Sequence, residues 1–598
     1  MVRLVYINEV NGEKYTKAVL SQQAYSSKII PAKRGDITDR NGIVLARSEK
    51  IYNVVLDPKV ILSKEYYYEP TMKSLVESLG YDEQEMKELI KNNSKSSYLV
   101  YEKNIDYSRV SEYNKYKSSH KHVVGVWFEE EFTRVYPYST FASHVIGFTN
   151  KDGGSNGLEH YYNELLTGTE GMKYGYFDSE LNQKDVEKDA VNGRTIVSTI
   201  DYNIQSVVEK KIKEFREQYE CNNIGVIVMN PNNGEVYAMA SNDEFDLNNP
   251  HSLDLWYTKE ELEAMDNDAK VDALYKRWRN FCISDTYEPG STFKPITVAS
   301  ALEENLVNSG NTFYCPGVLD VSGWPIHCND EHGWLTLTES LMKSCNCAMM
   351  DIVSRLGRDD FYKYQRAFGF GRPTGIDITG ETSGIIIDKS KLNVTELATS
   401  SFGTTFNVSM IQMASAYCSL VNGGTYYTPH LVKEIKTDEG TTIESFDNLE
   451  VRQTISKKTS DYIRGALLKT VQSGTGRPAQ IEGYEVGGKT GTAQKRPRTE
   501  KKFVVSFAGF APVDNPQLLM YVVIDDIHDS TLYNSSRPAS SMTSAVFKEI
   551  LPYLGEYPEG QIDYIVDEEL LRVLDETTSS YDEENPGVLP EELEYDEQ

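Results

Sequence analysis

A chain of 598 residues is too long for one compact core, so two or more domains are expected. Its 61 basic and 90 acidic residues leave a formal charge of −29, which excludes the basic footprint of a duplex-binding protein. No apolar run reaches the roughly 18 residues of a membrane-spanning helix, and Met1-Val2-Arg3-Leu4-Val5-Tyr6 leads straight into polar sequence, so no signal peptide is expected.

Residues 1–197 alternate short apolar runs with turn signals and read as an extended, mixed module. Within it Asp39-Arg40-Asn41-Gly42 separates Gly35–Thr38 from Ile43–Ala46, which predicts a hairpin. Residues 72–121 are richer in charge and helical in places. Asp201 sits as an N-cap ahead of Ile204, Val207, Val208, Ile212 and Phe215 at helical spacing. The apolar runs Ile224–Met229 and Glu235–Ala240 flank Asn230-Pro231-Asn232-Asn233-Gly234, an antiparallel hairpin pattern. Asp285 to Gly423 reads mainly as helices. Strand patterns return at Gly487–Ala493, Phe503–Ala511 and Leu518–Ile524, and residues 540–554 form an amphipathic helical pattern. The fold class expected is multidomain α+β, with an antiparallel sheet assembled from both ends of the second domain beside a helical cluster. From Asp567 to Gln598 the chain is crowded with Asp and Glu and Arg572 is its single base, so 556–598 reads as a solvated, disordered tail, with partner binding as the alternative.

Acyl exchange by a serine needs a nucleophile, a base within hydrogen-bond reach and donors for the oxyanion. Ser291-Thr292-Phe293-Lys294 supplies the first two, because residues three apart share a helix face. Lys294 must be neutral to act as a base, which burial and nearby positive charge favour. Pro289-Gly290 suits a sharp helix entry. S-x-x-K alone is a weak signal, and Ser118 to Lys121 is a second match in a polar stretch. Ser309-Gly310-Asn311 is a similar decoy for S-x-N. Order and setting carry more weight. Ser344-Cys345-Asn346 lies 53 residues beyond Ser291, and Lys489-Thr490-Gly491, the only K-T-G, lies a further 145 residues on.

The motifs and their settings, Tyr287–Lys294, Lys343–Asn346 and Gly488–Gln494, together resemble the signature of penicillin-recognising serine enzymes. The resemblance implies Ser291 as the acylated nucleophile, Lys294 as its base and Ser344 as proton relay to the leaving amine. It implies Asn346 as holder of the substrate amide, Lys489 as a positive field tying its strand to Ser344, and Thr490, Gly491 and Thr492 as the substrate-binding stretch. The oxyanion hole would be the backbone N–H groups of Ser291 and Thr492. Upstream, Arg34–Gly42, Arg134-Val135-Tyr136-Pro137, His144-Val145-Ile146-Gly147, Gly157-Leu158-Glu159 and Gly168–Gly171 resemble boxes of class B, monofunctional penicillin-binding proteins. Thr199-Ile200-Asp201 with Gln205 resembles the junction to their transpeptidase domain. The implied organisation is a non-catalytic pedestal or dimerisation-like module over 1–197 and a transpeptidase domain over 198–555, which carries an all-helical subdomain. The implied activity is D,D-transpeptidation of peptidoglycan stem peptides, with β-lactams as inhibitors and a membrane glycosyltransferase as partner. In that family an anchor precedes the first box, so the native protein is expected at the outer face of the plasma membrane. Phe402-Gly403-Thr404-Thr405 departs from the family's Phe-Gly-Gln-Gly. The competing readings are a β-lactam-hydrolysing or sensing relative and a catalytically silent scaffold.

Seven cysteines, Cys221, Cys282, Cys315, Cys328, Cys345, Cys347 and Cys418, are too few for a disulfide scaffold. None has C-x-x-C spacing, and Cys345 with Cys347 is poor zinc geometry without further ligands nearby, so neither metal nor cofactor is expected. Cys328, Cys345 and Cys347 read as small packing residues, with a disulfide from Cys328 to Cys345 or Cys347 as the alternative. Lys495, Arg496, Arg498, Lys501 and Lys502 read as a solvated hairpin, or as a contact for acidic polymer or a partner. His160, His327 and His332 read as loop or packing residues.

Overall fold

The computed structural model describes residues 26–177, 183–446 and 449–558. Strands β1 (Ile37–Thr38) and β2 (Val44–Leu56) meet at the predicted turn, where Asp39 Oδ1 accepts from the backbone N–H of Asn41 at 2.8 Å and of Ile43 at 2.7 Å. Helices α1 (Glu65–Leu79) and α2 (Glu83–Asn92), strand β3 (Leu99–Ile105), helix α3 (Tyr107–Ser119) and strand β4 (Val126–Val135) follow. Asp82 and Asp106 cap α2 and α3, satisfying N–H groups that a helix start leaves open. The helices bury Leu75, Met86, Ile90 and Tyr113 against Val54 and Leu56 of β2. Arg34 and Arg134, far apart in sequence, converge on the fully buried Glu159: Arg34 Nε donates to Oε2 at 2.7 Å and Arg134 Nε to Oε1 at 2.6 Å.

β5 (Thr195–Ser198) leads to α4 (Tyr202–Gln218), capped by Asp201 as its sequence predicts, and to the hairpin β6 (Cys221–Met229) and β7 (Val236–Ser241). After the helices Lys259–Ala264, Asn267–Trp278 and Phe281–Ser284 comes α5 (Lys294–Glu303), entered from a 3₁₀ turn over Gly290–Phe293. Two small ribbons follow. β8 (Thr312–Cys315) pairs with β11 (Gly333–Thr336), and β9 (Val318–Val321) pairs with β10 (Trp324–His327) between them. Asp285–Gly423 is mainly helical as expected, and these ribbons interrupt it; four-residue strands are too short for an alternation pattern to stand out. Helices α6 (Leu337–Met342), α7 (Asn346–Ala367) and α8 (Met410–Val421) complete this part. The chain then forms β12 (Val432–Lys436), β13 (Thr442–Ser445), α9 (Lys457–Ser473), β14 (Gly487–Gln494), β15 (Phe503–Ala511), β16 (Leu518–Ile527) and α10 (Arg537–Tyr553).

The central sheet runs β7-β6-β16-β15-β14, all antiparallel, and so joins residues from both ends of the domain as expected. On one face Val208 and Ile212 of α4 meet Val546, Phe547 and Ile550 of α10. The other face meets α8, every residue of which is buried, as its apolar sequence demands. A second sheet, β13-β12-β5-β1-β2-β3 with β4 also on β2, passes from one module to the other. The boundary expected after residue 197 lies inside its strand β5. No described helix is long and apolar enough to cross a membrane. The acidic tail expected over 556–598 lies, beyond residue 558, outside the described residues.

Candidate active site

Ser291 stands in the 3₁₀ turn that opens α5, partly exposed, and Lys294 is the first α-helical residue and fully buried. The Lys294 backbone N–H donates to the Ser291 carbonyl, so the two residues lie one turn apart, and the Lys294 amine itself is hydrogen-bonded to Ser344. Gly290 has φ +58°, and a Cβ there would come within 2.7 Å of the Thr492 carbonyl oxygen. Glycine thus lets the turn press against β14 and brings the Ser291 and Thr492 backbones side by side. Gly491 does the same from the strand, since a Cβ there would lie 2.3 Å from Ser506 Oγ and 2.9 Å from Thr292 Cγ2. Thr292 is pinned by its hydroxyl donating to the Pro289 carbonyl at 2.7 Å, and by Tyr417, whose hydroxyl donates to the Thr292 carbonyl at 2.6 Å.

Ser344 lies between α6 and α7 with φ +56°, a left-handed conformation that costs a non-glycine residue about 1–3 kcal/mol. That turn aims it at two amines. Lys294 Nζ donates to the Ser344 carbonyl at 2.5 Å and to its Oγ at 3.0 Å, and Lys489 Nζ donates to the same Oγ at 3.1 Å. Lys489 also donates to the Thr490 carbonyl at 3.1 Å and its Oγ1 at 3.3 Å, and Thr490 is hydrogen-bonded to Thr475 at 2.9 Å. Thr475 had no signal in the sequence. Asn346 opens α7, its Nδ2 donating to the His327 carbonyl at 3.1 Å. Thr490 and Thr492 share a face of β14; Thr490 is buried and Thr492 exposed. The segments that carry all the residues picked from the three motifs therefore meet in one place.

Neither lysine has an ion-pair partner among the described residues. Burial brings the Lys294 amine down to about 8, against a smaller opposing pull from Cys328, Cys345 and Cys347. Burial, and then the charge of Lys294, holds Lys489 well below the usual lysine range. An amine near 8 is a competent base at neutral pH. A cavity of about 700 Å³ lined by Glu288, Thr405, Ala493, Arg496 and Asp525 flanks the first and third motif segments, and none of the motif residues Ser291, Lys294, Ser344, Asn346, Lys489, Thr490 or Thr492 lines it. The basic residues after Thr492 are partly neutralised: Lys495 pairs with Asp525 at 2.7 Å and Lys502 with Glu500 at 3.0 Å.

The cysteines call for a correction. Cys328 Sγ lies 3.9 Å from Cys345 Sγ, all seven thiols are free, and the disulfide alternative is not formed. Cys345 does have candidate ligands nearby in the fold. The ribbons, unread in the sequence, carry Cys315, Cys328 and His332 back to it.

Two family descriptions fit the chain: "Penicillin binding protein transpeptidase domain" over residues 224–551 and "Penicillin-binding Protein dimerisation domain" over residues 29–198. The chain is 34% identical over 570 residues to stage V sporulation protein D of Bacillus subtilis, covering 93% of this chain and 83% of that protein. It is 26% identical over 510 residues to PenA of Neisseria meningitidis, named a probable peptidoglycan D,D-transpeptidase, covering 84% and 81%. Among solved structures, penicillin binding protein 2X of Streptococcus thermophilus shares the fold with a TM-score of 0.74 at 23% identity, over 88% of this chain and 80% of that one.

Proposed function

The chain belongs to the class B penicillin-binding proteins, and from that premise we propose that it is a peptidoglycan D,D-transpeptidase working through an acyl-enzyme on Ser291. One observation carries the reading: the Ser344 hydroxyl receives hydrogen bonds from both Lys294 and Lys489, so the three motifs converge on one proton path.

Neutral Lys294 takes the Ser291 hydroxyl proton as Oγ attacks the carbonyl carbon of the penultimate D-Ala. The backbone N–H groups of Ser291 and Thr492 hold the oxyanion. The proton passes from Lys294 through Ser344 to the departing D-Ala nitrogen. Lys489 stays beside Ser344, and Asn346, Thr490, Gly491 and Thr492 hold the donor peptide. An amine of a neighbouring stem then attacks the ester, returns its proton along the same path and frees Ser291. A β-lactam follows the first half, but its ring nitrogen stays tethered and blocks the second. Residues 198–555 carry this chemistry, and 1–197 serve as a non-catalytic module. The setting is the outer face of the plasma membrane, with an anchored chain beside a membrane glycosyltransferase.

Intact-mass measurement after benzylpenicillin treatment tests the reading. The wild type gains one penicillin mass and Ser291→Ala gains none; an adduct that persists in folded Ser291→Ala removes Ser291 as nucleophile.

A further inference from the structure

Cys315 ends β8, Cys328 directly follows β10, His332 directly precedes β11, and Cys345 is the N-cap of α7. Their three sulfur atoms and one ring nitrogen all lie within 4.8 Å of one another. Cys328 Sγ stands 3.9 Å from Cys345 Sγ and 3.7 Å from His332 Nδ1. A tetrahedral zinc with bonds of about 2.3 Å to sulfur and 2.0–2.1 Å to nitrogen has S···S edges of about 3.8 Å and S···N edges of about 3.6 Å. The two separations from Cys328 match those edges, and its 3.9 Å to Cys345 is far from the roughly 2.05 Å of a disulfide.

Two further observations point the same way. Backbone N–H groups already face the sulfurs: that of Asn346 donates to Cys328 Sγ at 3.2 Å and that of Ala348 to Cys345 Sγ at 3.4 Å. Such donors stabilise thiolates and orient ligands around a metal. The ribbons also bury little of their own. Trp324, Trp334 and Tyr314 are exposed, while Phe313, Cys315 and Leu335 are buried. Two-stranded ribbons of four residues are marginal alone, and a metal is a common staple for so small a unit.

We propose that Cys315, Cys328, His332 and Cys345 bind one zinc ion, which ties both ribbons to the start of α7. Three thiols lose their protons to solvent on binding, and His332 enters as neutral imidazole. Four protein ligands close the coordination shell, so the ion is structural and offers no open position to substrate. Three sulfurs and one nitrogen in a tetrahedral set select zinc over magnesium or calcium. Cys345 lies between Ser344 and Asn346, so the ion fixes the strained turn that presents the Ser344 hydroxyl to Lys294 and Lys489. In that sense Cys345 is a positioning residue.

The test uses the full chain, purified without chelator from zinc-supplemented medium. Elemental analysis gives about one zinc per chain, and cobalt(II) reconstitution gives the d–d bands of a tetrahedral site with thiolate charge transfer. Cys328→Ala and His332→Ala lose the ion, whereas Cys347→Ala and Cys418→Ala keep it. Stripping with 1,10-phenanthroline lowers the thermal midpoint and slows penicillin acylation, on the order of 10²-fold for a displacement near 1 Å. Zinc(II) restores both and magnesium(II) restores neither. The proposal falls if the wild type holds no zinc and gives no tetrahedral cobalt spectrum, if Cys328 is found in a disulfide, or if Cys328→Ala retains the metal. Metal content is read without any acyl-transfer assay, so failure of the Ser291 reading leaves this one intact.

Discussion

Arg34 and Arg134 in the first module meet a carboxylate, Glu159, whereas Lys294 and Lys489 in the second meet only hydroxyl and carbonyl oxygens. Both clusters are largely removed from water. A buried cation with a carboxylate against it keeps its charge, and the pair then depends on both partners. A buried amine without one sheds its proton, which undermines it as a support but equips it as a base. The same physical penalty thus holds together the family boxes around Arg34, Arg134 and Glu159 and activates the serine site.

Replacing the base should separate the two roles most sharply. Lys294→Met is expected to slow acylation by fluorescent penicillin on the order of 10⁴-fold. Its stability moves the other way. The folded-state pKa, about 8, is depressed from the ordinary 10.5, so the unfolded chain binds more protons between those values, and stability rises with pH across that window. Below about pH 8 the full cost, roughly 3 kcal/mol, is present and methionine removes it. The wild-type acylation rate should rise with pH, half-maximal near 8, and level off about one unit higher, following the neutral amine. A Lys294→Met midpoint well below wild type at pH 7 would mean the amine supports the fold after all.

Glu159→Gln is the reverse experiment. Taking the charge from between two buried guanidinium groups is expected to cost about 3–5 kcal/mol, read as a lower urea midpoint for the first module. Acylation of the still-folded variant at 20 °C should match wild type, because no Glu159 contact reaches the serine site. Wild-type stability in Glu159→Gln would show that this cluster is not an obligate pair.

The contrast also explains what could be read from the chain. Ser291-x-x-Lys294, Ser344-x-Asn346 and Lys489-Thr490-Gly491 were legible because each is a short local geometry with fixed chemistry. Asp201 and Asn41-Gly42 were legible for the same reason, as a cap and a turn. The central sheet could be expected from long apolar runs such as Phe503–Ala511. The ribbons could not, and with them the convergence of Cys315, Cys328 and His332 on Cys345 stayed hidden. Ligand sets of that kind depend on where the chain returns, not on spacing. Thr475 was invisible likewise, being a threonine without a motif that reaches Thr490 only in the folded chain.

Lys363 and Glu304 supply the smallest effect and the cleanest control on the comparison. Their N···O distance is 2.6 Å, the same as between Arg134 and Glu159. The side chains of the first pair are 58% and 30% exposed, those of the second 6% and 0%. Water and salt screen the exposed pair and solvate either partner left alone, so Lys363→Ala should cost only about 0.2–1 kcal/mol, and less at high ionic strength. The two costs can be measured side by side in urea at low and high salt. If Lys363→Ala costs as much as Glu159→Gln, proximity alone sets the worth of an ion pair here, and burial cannot be what divides the arginine cluster from the lysine cluster.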